Sequence, residues 1–482
     1  MQVSERIKGI AASQSLAMAA RAKAMKAAGI DVISMSLGEP DMDTPEHIRR
    51  AAQEATDNGW THYGPVAGIA SLREAIAASQ NAKVKEYINL DKHSCAAINP
   101  KKKNAESTVA DCDIRVTTNQ PAHEQAPGQV ACEFRTAGTD TQFPQDSLQK
   151  CDVPSSENTQ NIEQGIAFEA ADVIVSVGAK MAIYNAILTV INPGDEVVIP
   201  MPSWVSYTEM VKLAGGKPVA VQTQYENRYC LTANELRAAL TEKTRMLILC
   251  SPNNPTGSIY SYEELKALVE VLREFPEVVV LSDEIYNSLV YDENINIDKH
   301  SCAAINKNNI CSLAEFEELA ERLIIVNGVS KAYAMTGWRI GWLMSKNRAF
   351  IEACTRLQGQ QVTCATMVAQ KAAEAALTGS QDCVEQMRQV FAERRELICK
   401  LAAEIPGWKF EKPQGAFYLF PDVSALGGGD KIAEYLLEEA HVAVVSGSAF
   451  GCQECIRLSY AISTEEIIEA MRRIKNAIEK LK

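Results

Sequence analysis

Leu323-Ile324-Ile325-Val326-Asn327-Gly328-Val329-Ser330-Lys331-Ala332-Tyr333-Ala334-Met335-Thr336-Gly337-Trp338-Arg339 is the most informative stretch of this chain. Its opening apolar run, bounded by a glycine, predicts a strand buried on both faces that ends in a turn. The turn presents Ser330 and Lys331, and Arg339 follows eight residues later. A lysine just beyond a buried strand can have its ammonium form disfavoured by burial and neighbouring charge, which makes its amine a usable nucleophile. A nearby hydroxyl and guanidinium are what a phosphate needs. Together they suggest a phosphorylated aldehyde cofactor held as a Schiff base, pyridoxal 5′-phosphate. Taken alone, Lys331 is more readily read as a solvated surface lysine, so the rest of the chain has to decide.

Outward from this stretch, short apolar strands alternate with helical patterns from about residue 166 onward, the signature of an α/β protein with a largely parallel sheet. Strands are expected at Val173–Val177, Glu196–Ile199, Pro218–Val221, Met246–Cys250, Val278–Ser282 and Leu323–Val326, with helices such as Met181–Val190, Ser261–Phe275 and Ala314–Arg322 between them. Ligands of open α/β sheets sit at the carboxyl ends of the strands, and the conspicuous polar motifs lie there. Ser176-Val177-Gly178-Ala179-Lys180 opens a helix whose N-terminal N–H groups and dipole suit a phosphate. In Ser251-Pro252-Asn253-Asn254-Pro255-Thr256-Gly257 two prolines and a glycine fix a turn, so that Asn254 could donate to a phenolate oxygen. In Ser282-Asp283-Glu284-Ile285-Tyr286 a carboxylate can pair with a protonated pyridine nitrogen, Tyr286 could donate to the phenolate oxygen, and a metal site is the alternative. In Ile456-Arg457-Leu458-Ser459-Tyr460 a guanidinium interrupts an apolar strand; its partner is either a substrate carboxylate or an internal acid.

Composition narrows the setting. At 482 residues, 46% hydrophobic and 23% charged, the chain can bury a substantial core, and its net charge of −13 argues against nucleic acid or an anionic membrane as partner. The N-terminus lacks the apolar segment of a signal peptide, and no apolar run approaches a membrane span. The 14 scattered cysteines fit reduced thiols and a cytoplasmic location better than a disulfide framework. Cys452-Gln453-Glu454-Cys455 has redox or metal spacing without a second pair or a nearby histidine, and no metal site is expected. Residues 80–164 hold five prolines and no sustained periodicity, and read as an irregular, disordered insertion. Ile88–Asn99 recurs as Ile295–Asn306 with eleven of twelve residues identical, a local duplication of no evident role.

Taken together, the motifs resemble the class I/II pyridoxal-phosphate-dependent aminotransferases of fold type I, most closely bacterial aspartate aminotransferases. Leu37-Gly38-Glu39-Pro40-Asp41, Tyr63-Gly64-Pro65, Pro202-Ser203-Trp204 and Gly415-Ala416-Phe417-Tyr418 add to the resemblance, which covers nearly all of the chain outside about 80–164. It implies a large cofactor-binding domain (46–345) with a mostly parallel sheet between helices, and a smaller α+β domain built from both termini (1–45 and 346–482). It implies that Lys331 holds the cofactor and shuttles a proton between substrate Cα and cofactor C4′. Asp283 would pair with the pyridine nitrogen, Asn254 and Tyr286 would contact the phenolate oxygen, and Trp204 would stack on the ring. Gly178, Ala179, Ser330 and Arg339 would hold the phosphate, joined by Tyr63 of a neighbouring subunit in a homodimer. Arg457 and the backbone at Gly38 would take the substrate α-carboxylate. Lys180 would bind a side-chain carboxylate, beneath an N-terminal segment carrying Ser13 and Ser15.

These assignments favour L-aspartate and 2-oxoglutarate as the amino-acid and 2-oxo-acid substrates. Prephenate, aromatic and alanine-type transaminases share the cofactor motifs, because one charge or methylene in the pocket separates them. A lyase or decarboxylase on the same fold, or a non-catalytic cofactor-binding protein, would keep many of the same residues.

Overall fold

The computed structural model describes residues 2–11, 14–96, 165–291 and 311–481. Ser13, residues 97–164 and the second copy of the duplicated segment (295–306) lie outside them. The strands, in chain order, are β1 (Ile33–Ser34), β2 (Val173–Val177), β3 (Glu196–Met201), β4 (Lys217–Gln222), β5 (Thr244–Cys250), β6 (Val279–Asp283), β7 (Leu323–Gly328), β8 (Ile340–Met344), β9 (Tyr418–Leu419), β10 (Val442–Ala443), β11 (Val445–Ser446) and β12 (Ile456–Ser459).

The central sheet has seven strands in the order β2-β8-β7-β6-β5-β3-β4. All neighbours pair in parallel except β8, which is antiparallel to both β2 and β7. β8 has no counterpart among the expected strands, because Gly341 sits inside a five-residue run that directly follows a turn. Two antiparallel steps restore direction, so β2 points the same way as β7. Both faces of the sheet are buried except at its edge strand β4, whose residues are exposed or half-buried. In β7, Leu323 and Ile325 enter one core while Ile324 and Val326 enter the other, as the two-residue repeat of a strand requires. Each such side chain contributes about 1.5–3 kcal/mol of burial free energy.

Two expectations are corrected, one of a helix and one of an irregular segment. Ala314–Arg322 is a pair of 3₁₀ turns, Leu313–Glu315 and Glu317–Arg322. Between them Phe316 is extended (φ −100°, ψ 93°), and its buried ring stacks on Tyr262 at 5.1 Å. Packing of that aromatic outweighs the helical pattern around it. The start of the supposed irregular insertion is also helical: Ala70–Ala96 is one helix of 27 residues. Its buried stripe runs Ile76, Gln80, Val84, Tyr87. The polar residue in that stripe hides the hydrophobic repeat, and Gln80 is satisfied there by donating to Glu284 Oε2 at 3.4 Å.

A third core gathers Ile33 and Met35 with the helices Asp382–Ala402, Gly429–Glu439 and Thr464–Leu481 and the strands β9, β10 and β12. β1 pairs with β10 in parallel, and β12 lies between β11 and β9. The helices Arg348–Gln361 and Met367–Thr378 instead add Ile351, Cys354, Ala369 and Ala373 to the cores of the central sheet. Among the described residues no helix is long and apolar enough to cross a membrane.

Candidate active site

Turns leaving the ends of β3, β5, β6 and β7, the helix after β2, and the start of β12 converge on a cavity of about 280 Å³. Its walls include Ser15, Gly38, Ala179, Lys180, Trp204, Asn254, Asp283, Tyr286, Ser330, Lys331, Arg339 and Arg457. Gly178 lies directly behind this wall. Tyr63 is not part of it and is 88% exposed.

The register of one antiparallel pair builds the anion-binding side. Val177 stands opposite Ile340, so Gly178, opening the helix Gly178–Val190, faces Arg339. A Cβ at Gly178 would lie 2.4 Å from Arg339 Nη2, and its φ of +80° is itself glycine's region. The helix N-terminus, the Arg339 guanidinium and the buried Ser330 hydroxyl thus border the same side. The approach of β8 is equally tight: a Cβ at Gly341 would lie 2.2 Å from the Ala179 nitrogen.

Lys331 reaches the cavity from the turn after β7, and its Nζ donates to the Gly38 carbonyl at 2.5 Å. Loss of water on burial pushes its pKa down to about 8; Arg457 and Arg339 push the same way, while Glu39 and Asp283 oppose. Asp283, at the end of β6, accepts from Tyr207 Oη at 2.6 Å and from the Ile285 N–H at 3.2 Å. Burial still raises it to about 6, so the site favours a cation placed against this carboxylate. Tyr286 Oη and Tyr418 Oη share a hydrogen bond of 2.7 Å. Lys180 lies at the rim with Nζ 4.7 Å from the Trp204 ring centroid, and its pKa is lowered by burial and then by Arg339.

Arg457 is buried between the rings of Tyr418 and Phe450, 4.5 and 4.8 Å from their centroids. It donates to Asn254 Oδ1 at 3.0 Å and to the Ser36 carbonyl at 2.6 Å, and its Nε is unpartnered. Both acceptors are neutral, so the buried guanidinium has no carboxylate of its own among its hydrogen-bond partners. Among the described residues no acid pairs with Arg457, so the internal salt bridge weighed against a substrate carboxylate is not found there.

A phosphate border shaped around a bare glycine backbone, a buried carboxylate awaiting a cation, an amine poised near neutrality and an aromatic wall at Trp204 fit pyridoxal phosphate. Tyr207, three residues after Trp204, holds Asp283 and has no counterpart among the residues expected at the site, since a tyrosine there is ordinary. Tyr418, from Gly415-Ala416-Phe417-Tyr418, packs against Gly38, and Glu39, from Leu37-Gly38-Glu39-Pro40-Asp41, faces Lys331 electrostatically; both stand in motifs quoted from the sequence but without an expected role. Among the described residues no group of three or more His, Cys, Asp or Glu side chains could hold a metal ion.

The family model for aminotransferase class I and II matches residues 158–474. The chain is 36% identical to the aspartate aminotransferase of Geobacillus stearothermophilus, with 99% of each chain covered. It is 34% identical to the aspartate/prephenate aminotransferase of Nitrosomonas europaea, over 99% of this chain and 100% of that one. Among solved structures, the aspartate aminotransferase of Rhizobium meliloti superposes with a TM-score of 0.77 at 33% identity, covering 99% of both chains. The Thermus thermophilus aspartate aminotransferase with maleate gives 0.74 at 30% identity, covering 99% of this chain and 100% of that one. The chain belongs to the class I and II aminotransferases, enzymes that move amino groups between amino acids and 2-oxo acids on pyridoxal phosphate.

Proposed function

We propose that this enzyme converts L-aspartate and 2-oxoglutarate to oxaloacetate and L-glutamate at the cavity around Lys331. The observation that carries this reading is the pairing of two cations across one cavity, buried Arg457 and rim Lys180. A dicarboxylic substrate has a carboxylate for each.

Bound in this cavity, the cofactor supplies an electron sink conjugated to the substrate Cα. Asp283, kept ionised by its hydrogen bond from Tyr207, would pair with the pyridine nitrogen. Asn254 and Tyr286 would donate to the phenolate oxygen, and Trp204 would flank the ring. Gly178, Ala179, Ser330 and Arg339 would hold the phosphate. Arg457 and the backbone at Gly38 would orient the substrate α-carboxylate, which would turn the Cα proton toward Lys331. Lys331, as a free amine, would serve as the base for that proton and as its carrier. Lys180 would take the side-chain carboxylate, with Ser15 of the N-terminal segment on the same cavity wall.

The proposal includes a homodimer in which Tyr63 completes the partner's phosphate site; the 88% exposure of Tyr63 and the 37% exposure of nearby Trp60 support it. It also includes a division into a large domain and a small one built from both ends, supported by the core that Ile33 and Met35 share with residues from Met387 onward; the helices Arg348–Gln361 and Met367–Thr378 pack on the central sheet, so the C-terminal boundary expected at 346 moves to about 380. A cytoplasmic location is supported by free thiols at Cys230, Cys250, Cys311, Cys354, Cys364, Cys383, Cys399, Cys452 and Cys455. Prephenate is the second reading for the acceptor, favoured by Leu16, Leu37 and Ile183 lining the cavity.

The test is a half-reaction screen: the visible cofactor band is followed after adding single amino acids without acceptor. Aspartate and glutamate should bleach it fastest. Faster bleaching by phenylalanine or alanine would overturn the dicarboxylate assignment.

A further inference from the structure

The turn leading into β12 holds two thiols for which transamination has no use. The sulfurs of Cys452 and Cys455 are 3.3 Å apart, and the Cys455 N–H donates to the Cys452 carbonyl at 3.4 Å. A turn closed this way keeps its first and last Cα within about 7 Å, and a disulfide spans about 4.4–6.8 Å. Cys455 is fully buried, while Cys452 is half-buried beside exposed Gln453 and Glu454. One sulfur is therefore reachable from solvent and the second lies behind it. The hydrogen bond between the thiols lowers the Cys452 pKa and raises that of Cys455, which burial raises further. An attacking thiol needs the first condition, and a thiol held in reserve has the second.

We propose that Cys452 and Cys455 form a dithiol–disulfide exchange site for low-molecular-weight disulfides, and that its oxidation weakens substrate binding at Arg457. The Cys452 thiolate attacks one sulfur of an external disulfide, RSSR, forming a mixed disulfide and releasing RS⁻. Cys455 then gives up its proton, attacks the Cys452 sulfur and expels the second RS⁻. Two protein thiols lose two electrons and two protons, and one external disulfide becomes two thiols.

The geometry carries the change to the cavity. Cys455 directly precedes β12, which bears Arg457. Phe450, two residues before Cys452, stacks on that guanidinium, and its carbonyl accepts from the Ser203 N–H at 3.0 Å, next to Trp204. Gly447 ties the turn together. It donates to the Cys455 carbonyl at 2.7 Å and accepts from the Cys452 N–H at 3.0 Å, and a Cβ there would sit 2.1 Å from the Cys452 carbonyl oxygen. Closing the sulfurs from 3.3 Å to the roughly 2.05 Å of a bond pulls on a turn with little slack.

The link to binding rests on Arg457 as the carboxylate ligand, whereas the thiol chemistry does not. The test equilibrates the holoenzyme with bis(2-hydroxyethyl) disulfide and 2-mercaptoethanol in varied ratio. Thiols are then mapped by mass spectrometry, and kcat and KM are measured for the amino acid that is turned over. The expected result is a peptide holding Cys452 and Cys455 that is lighter by two hydrogens. With it KM should rise roughly tenfold, the size of one lost charge-assisted contact, at nearly constant kcat and reversibly with reductant. Cys452→Ser should keep the reduced KM throughout, and Cys455→Ser should stop at the mixed disulfide. Thiols that stay reduced, a wild-type mixed disulfide that never resolves, or a disulfide with unchanged KM would each overturn the proposal. Absence of turnover in the reduced enzyme would instead sink the transaminase reading, leaving the thiol map to decide the exchange site.

Discussion

Lys331 can capture the cofactor aldehyde only as a free amine, so its depressed pKa sets the pH at which cofactor-stripped enzyme recovers. With a value of about 8 in place of 10.5, roughly a quarter of the enzyme carries a neutral amine at pH 7.5, against about one molecule in a thousand for an unperturbed lysine. The structure thus predicts capture on the order of a hundredfold faster at that pH than an exposed lysine of equal nucleophilicity would give. Stopped-flow absorbance after mixing stripped enzyme with excess pyridoxal phosphate measures it from pH 6 to 10. The rate should climb about tenfold per pH unit at first and level off near 8. Glu39 raises the Lys331 pKa and Arg457 lowers it, so Glu39→Gln should move the break to lower pH and Arg457→Leu to higher pH. A climb continuing unbroken to pH 10 would refute the argument that burial tunes this amine.

Three further outcomes can be measured. Arg457→Leu should cut kcat/KM for aspartate by roughly a hundredfold or more, the cost of removing one partner from a buried charged contact, while the visible cofactor band is retained. Tyr207→Phe removes a hydrogen bond that lowers the Asp283 pKa; Asp283 works ionised, so activity should begin to fail at a higher pH on the acid side than in the wild type. Deleting residues 81–164 should cost on the order of 5 kcal/mol more stability in urea unfolding than deleting 98–162. The longer deletion removes buried Val84 and Tyr87, and also Asn81, which exchanges two 2.8 Å hydrogen bonds with the Phe168 backbone. Equal midpoints for the two deletions would show that these helical turns contribute nothing.

Six of the seven central strands were legible: five are buried on both faces and need an unbroken apolar run, and the edge strand β4, exposed or half-buried throughout, still carries the short run Pro218–Val221. The site was legible for a related reason: Gly178, Asn254, Asp283 and Lys331 each follow one of those runs, at the one edge where a parallel sheet collects its turns. What stayed hidden depended on partners distant in sequence. Gln80 looked like a helix ending because only Glu284, 204 residues away, makes its burial tolerable. Phe316 looked helical because its stacking partner lies on another helix. Tyr207 announces nothing until Asp283 is seen beside it.

The missed strand is also the one that completes the site. A sheet parallel throughout would deliver strand ends to the cavity but never a strand beginning. β8 runs backward, so its first residue, Ile340, stands opposite the last residue of β2, Val177. Arg339 therefore arrives at the same edge as the helix that opens at Gly178. Gly341 is what lets this happen, since any side chain there would strike the backbone at Ala179. The same residue type weakened the strand signal in the sequence, so a single steric requirement explains both why β8 was hard to read and why Arg339 can meet Gly178 across the edge.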